Sequence, residues 1–216
     1  MTPVPAPHPS ELGIEPGDLW IFGYGSLMWD PGFAYLQRAP ALLYGYHRAF
    51  CIYSNRWRGT PERPGLVLGL DRGGSCRGVA FLVGKTRVEA TIRTLWAREM
   101  RRRVYKVRLL RTRLPGGEAR AFAFVADPLH PGYAGGLTVT RTARLVATCH
   151  GARGPNIEYL TRTIEHLEAL GVRDHNLMRV LDAVRALSPG TPPQRRLTIH
   201  ESRSYSLRRG ARKGVK

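Results

Sequence analysis

Two places in this 216-residue chain carry residues whose types and spacing could do chemistry. The first is Gly23-Tyr24-Gly25-Ser26-Leu27, which ends a short apolar run, Leu19-Trp20-Ile21-Phe22. Glycines let a backbone approach a ligand closely, and successive N–H groups can then converge on a carboxylate or oxyanion. Ser26 would add a hydroxyl donor. A plain tight turn fits the same pattern. Half of a dinucleotide fingerprint does not, because Met28 stands at the third glycine position and no βαβ unit follows. The second place is Glu99. On a helix of 100° per residue with Val88 at zero, Ile92 falls at about 40°, Leu95 at about −20° and Glu99 at about 20°. A carboxylate on that apolar stripe is costly unless it is paired or faces a cavity. Pairing with Arg102 or Arg103, or an outward turn at a frayed helix end, would satisfy it; a cavity would raise its pKa toward the range of a general acid or base.

These residues need elements to position them. Leu19–Phe22 reads as a buried strand entering the glycine loop. Ala41–Tyr53 and Gly65–Leu70 read as further strands, and Arg77–Val83 as another after a turn at Gly73-Gly74-Ser75. The helix bearing Glu99 spans residues 86–103, with Thr86 and Glu89 spaced as a capping box. A hairpin over 104–125 turns at Pro115-Gly116-Gly117. Residues 137–149 have a weaker helical pattern. Residues 155–170 form an amphipathic helix stopped by Gly171, and Asp174 caps a last one carrying Leu177, Val180, Leu181, Val184 and Leu187. The order implies one α+β domain over 18–187 around a mostly antiparallel or mixed barrel-like sheet. Residues 1–17 read as a disordered proline-rich lead, and 188–216 as a disordered basic tail.

Other chemistries find little support. The seven histidines show no H-E-x-x-H or comparable ligand spacing, so no metal site is expected. Ser26 lacks the G-x-S-x-G elbow of a serine hydrolase. Cys51, Cys76 and Cys149 are odd in number and far apart, which fits small buried hydrophobes rather than disulfides or zinc. No apolar run approaches the ~18 residues of a membrane span, and the lead, without Lys or Arg, does not read as a secretory signal. A cytoplasmic protein is expected. The formal charge of +18 comes mainly from arginine. It allows weak non-specific nucleic-acid binding by the tail, and a nucleic-acid-associated binding protein is the rival reading from another class. The sequence shows no aromatic–basic interleaving or recognition motif for it.

Taken in order, the blocks Trp20–Trp29, Leu43–Phe50, Arg58-Gly59, Pro64–Val67, Cys76–Phe81, Leu95–Glu99, Pro131–Tyr133 and Gly154–Leu160 resemble the ChaC family of γ-glutamylcyclotransferases. The resemblance runs from about residue 18 to 187. It departs at His150–Gly154, where the family has a shorter glycine turn. It implies a small mixed β-barrel with flanking helices and no cofactor. The implied reaction cleaves glutathione to 5-oxoproline and Cys-Gly, or acts on another γ-glutamyl amine or peptide. Tyr24, Gly25, Ser26, Leu27, Met28 and Trp29 would hold the γ-glutamyl group, and Glu99 would be the catalytic acid/base. Tyr133 and Arg58 are further candidates for substrate contact. No oligomeric state follows.

Overall fold

The computed structural model describes residues 5–187. Five strands close a barrel: β1 (Leu19–Gly23), β2 (Gln37–Ser54), β3 (Gly65–Val83), β4 (Tyr105–Leu114) and β5 (Gly117–Ala126), in the order β1-β3-β2-β4-β5. All neighbours are antiparallel except β1 and β5, whose parallel pairing at Trp20–Ala121 and Ile21–Phe122 completes the closure. The α+β, mixed-barrel reading holds.

Gly65–Val83 is one strand, not two. The expected turn at Gly73-Gly74 is an irregularity in the β2–β3 ladder, where pairing skips from Tyr46–Arg72 to Tyr44–Ser75. Gly45, Gly73 and Gly74 all have positive φ there. Such a bulge bends a long ribbon without ending it, which lets two strands of nearly twenty residues curl around a small barrel.

β5 shows how sequence alternation builds two cores. Ala121, Ala123 and Val125 join the main core, whereas Phe122 and Phe124 join a second one under α1 (Val88–Glu99). Val88, Ile92 and Leu95 of α1 pack into that second core. The helix is shorter than its pattern suggests. It is flanked by 3-10 turns at Lys85–Arg87 and Met100–Arg102, its N-cap is Arg87, and no side chain caps it. The main core is covered by α2 (Val139–Thr148), α3 (Asn156–Ala169) and α4 (His175–Leu187). A short ladder of β6 (His150–Gly151) with β7 (Gly154–Pro155) lies between α2 and α3. Fully buried Asn156 starts α3, and its amide exchanges two hydrogen bonds with the Leu66 backbone (2.6 and 2.7 Å).

The lead departs from the disordered expectation over its described residues. Pro9–Leu12 forms a 3-10 turn, with Glu11 Oε1 accepting from the His8 backbone N–H (2.7 Å). Ile14 is buried in the core beneath α1, and that apolar anchor orders the segment. Residues 188–216, read above as a disordered tail, lie outside the described residues. Among the described residues no helix is long and apolar enough to cross a membrane.

Candidate active site

The chain leaves β1 through a close turn: a Cβ on Gly23 would stand 3.1 Å from that of Leu27. One 3-10 turn, Ser26–Met28, follows. Four carbonyls of the loop are consumed by the protein. Tyr24 O accepts from Arg48 Nε (2.6 Å), Gly25 O from the Met28 N–H (2.9 Å), Ser26 O from the Asp30 N–H (2.9 Å) and Met28 O from Arg38 Nη2 (3.4 Å). The N–H groups of Ser26 and Leu27, first in the turn, have no carbonyl within it to donate to. A backbone turned this way hides C=O and offers N–H, as an anion requires. The flanking side chains anchor the loop. Leu27 is buried under α1, Met28 enters the main core, and Trp29 stacks on His166 of α3 at 4.3 Å.

Glu99 is the last residue of α1, with 21% of its side chain exposed. Burial pushes its carboxyl above the ordinary range, and the neighbouring Arg98 guanidinium pulls the other way. The negative end of the helix acts in the same direction as burial. Neither Arg102 nor Arg103 pairs with it. Its partner is Arg98, with Nε 3.1 Å from Oε1, while Arg102 donates to Tyr53 O (2.7 Å).

Three buried tyrosines lie close enough to this carboxyl to feel its charge: Tyr24 of the loop, Tyr105 at the start of β4 and Tyr159 in the first turn of α3. Burial raises all three phenols, and the charge of Glu99 raises each further. Tyr24 and Tyr105 rise well above their usual value, and Tyr159 rises to about 12. All therefore stay neutral donors at working pH. Tyr159 closes on the loop, since a Cβ on Gly25 would stand 3.2 Å from its hydroxyl. Tyr105 Oη donates to Leu68 O (3.3 Å).

The structure places the loop and Glu99 side by side, with Arg98 reaching both Ser26 and Glu99. Arg58 and Tyr133 are placed differently. Arg58 Nη1 donates to Pro155 O (3.0 Å) and lies 3.7 Å from Glu158, with its guanidinium over the Tyr159 ring. The Tyr133 hydroxyl donates to the Asp71 carboxylate (2.8 Å). Burial, reinforced by Asp71, pushes that phenol up to about 12. Among the described residues neither hydrogen-bonds to the loop or to Glu99. Sequence reasoning missed Tyr105, Tyr159 and Arg98 as members of the site. The signal for two of them was present, because Tyr159 and Arg98 stand inside blocks that carried the resemblance.

Known proteins share these features of sequence and fold. A family model described as ChaC-like protein matches residues 19–187, a span holding the loop, Glu99 and all three tyrosines. The chain belongs to this ChaC-like family. Among curated relatives, the glutathione-specific gamma-glutamylcyclotransferase of Escherichia coli is 36% identical over 80% of this chain and 75% of its own length. Glutathione-specific gamma-glutamylcyclotransferase 1 of Homo sapiens is 33% identical over 87% and 88%. A crystal structure of the yeast gamma-glutamyl cyclotransferase specific to glutathione superimposes with a TM-score of 0.71, covering 79% of this chain and 96% of that one at 22% identity. That likeness shows that the barrel with its flanking helices is the fold of a cyclotransferase.

Proposed function

We propose that this ChaC-like chain is a γ-glutamylcyclotransferase that converts glutathione into 5-oxoproline and Cys-Gly, with Glu99 as its acid/base. One observation carries the reading: a carboxyl held above its ordinary range, whose charge three neutral phenols feel, is joined through Arg98 to a loop that offers N–H groups and engages its carbonyls elsewhere. The curated relatives named for the same reaction support it.

The chemistry follows from the substrate carrying its own nucleophile. The α-amine of the γ-glutamyl group reaches the enzyme largely as an ammonium and cannot attack until it loses a proton. The Glu99 carboxylate accepts that proton. The freed nitrogen forms a C–N bond to the γ-carbonyl carbon, closing a five-membered ring, and the carbonyl oxygen becomes an oxyanion. Loop N–H groups and a phenol O–H stabilise it, in a site too sheltered for water to screen them. The oxyanion then collapses, the bond to the cysteinyl nitrogen breaks as Glu99 returns its proton to that nitrogen, and the surplus proton left on the ring nitrogen passes by way of Glu99 to the released amine. Atoms balance with no water consumed. The protein's share is to fold the substrate into near-attack geometry, which is why a rigid loop and a single acid suffice. The three described cysteines are buried free thiols, which supports placing the enzyme in the reducing cytoplasm.

The test is release of 5-oxoproline from reduced glutathione by the purified protein and by Glu99→Gln. The variant is expected to lose about 10²–10⁴-fold in kcat while remaining folded. A folded variant with full turnover would remove Glu99 from the mechanism.

A further inference from the structure

The loop and Glu99 come from different elements, and one side chain joins them. Arg98 spreads its planar fork over three partners. Nε lies 3.1 Å from Glu99 Oε1, Nη2 donates to Ser26 Oγ (2.9 Å), and Nη1 donates to the Asp30 carbonyl (2.7 Å). Ser26 opens the loop's 3-10 turn and Asp30 lies two residues past its end, so the guanidinium spans the turn and meets the acid at once. We propose that Arg98 is the positioning residue of this site, holding Glu99 in register with the loop and orienting the Ser26 hydroxyl toward the substrate. The proposal rests on the cyclotransferase reading and deepens it.

Hydrogen-bond direction supplies the second half. Arginine only donates, so Ser26 Oγ accepts from Nη2 and its own proton stays free to donate elsewhere. A hydroxyl polarised in this way is a better donor to a carboxylate or oxyanion. Lysine cannot copy the arrangement: it keeps the charge but lacks a rigid fork with three separated donors.

The charge also matters for Glu99. The other groups facing the acid are the phenols of Tyr24, Tyr105 and Tyr159, and Asp30 faces Arg98 from the loop at 3.7 Å. Arg98 is the cation among them that holds the acid down against burial. A general base must be ionised, so its titration sets the acid limb of kcat/KM. Losing Arg98 therefore moves that limb to higher pH.

The experiment measures 5-oxoproline release against pH for wild type, Arg98→Met, Arg98→Lys and Ser26→Ala, with thermal melts of each. Wild-type activity that depends on Glu99 comes first; its absence would count against the cyclotransferase reading and not against Arg98. Given that activity, Arg98→Met is expected to lose about a hundredfold in kcat/KM, with the acid limb displaced upward. Arg98→Lys is expected to keep the limb near its wild-type position while losing about tenfold, as does Ser26→Ala. An Arg98→Met enzyme within threefold of wild type overturns the proposal. So does a loss of activity with the limb unmoved, which would make Arg98 a purely structural contact. If Arg98→Met does not fold, a Lys variant matching wild type in both rate and profile overturns it equally.

Discussion

Replacing Arg48 by methionine tests how firmly the site loop is tied to the rest of the molecule. Arg48 is 3% exposed and makes three strong hydrogen bonds: to Tyr24 O (2.6 Å), to Arg77 O (2.6 Å) and to Asp174 Oδ2 (2.7 Å). Methionine fills much of the arginine stem, so the cavity left is small and lost polar contacts dominate. Each buried carbonyl stripped of its donor costs about 1–3 kcal/mol. Breaking a buried ion pair commonly costs about 3–5 kcal/mol. Asp174 should fall below that, because it still accepts from the Asn176 and Leu177 N–H groups at the start of α4. We expect a net loss of about 4 kcal/mol, a large part of the roughly 5–15 kcal/mol that stabilises a domain. With a urea slope of about 2.5 kcal/mol/M, the unfolding midpoint falls by about 1.5 M at unchanged slope. Adding Asp174→Asn gives the sharper reading. Asparagine still caps a helix and carries no charge, so it should harm the Arg48→Met protein less than wild type by about 1–3 kcal/mol. A midpoint shift below about 0.4 M, or strict additivity in the double variant, refutes the reasoning.

Two further outcomes follow from the site. The Glu99 carboxyl is raised by burial above its ordinary 4.5, so folding favours its protonated form. Below pH 4.5 both folded and unfolded states hold the proton, and wild type and Glu99→Gln should differ by a constant amount. As pH rises through the raised value the unfolded state gives up its proton more readily, and wild type loses stability relative to the variant. Melting temperatures of both proteins across pH 4–8 check this, and a gap that moves the other way contradicts it. Gly25→Ala would push a methyl against the Tyr159 hydroxyl, from which a Cβ would stand only 3.2 Å. It should cut kcat/KM about tenfold with little change in melting temperature. Tyr159→Phe should lose a similar amount, and the double variant should be little worse than either single one.

Glu99 was legible in the sequence because a charge on an apolar helical stripe is an anomaly that periodicity exposes. Its partner was not. Side chains on a regular helix meet three or four residues apart, which pointed to Arg102 or Arg103. Glu99 instead ends the α-helix where the chain tightens into a 3-10 turn, and there adjacent residues can meet. Tyr105 and Tyr159 look like core residues of a strand and a helix, and only tertiary closure brings both within reach of one acid's charge. The Gly73-Gly74 pair reads locally as a hairpin turn, because nothing local reveals the matching irregularity at Gly45. Arg58 and Tyr133 stood in blocks that carried the resemblance, but resemblance does not show that their polar atoms are engaged by Pro155 and Asp71.

The parallel seam between β1 and β5 has a consequence for how the molecule is made. β1 and the loop behind it leave the ribosome about a hundred residues ahead of β5, yet Trp20 and Ile21 find their partners only at Ala121 and Phe122. Pairings so distant along the chain form late, because the intervening loop must be closed before the contacts repay it. Until the fifth strand docks, the core beneath α1 lacks Phe122 and Phe124, so the helix that carries Glu99 has no finished floor to pack on. A chain cut short before Phe122 is therefore not a weakened catalyst but a set of parts without an assembly.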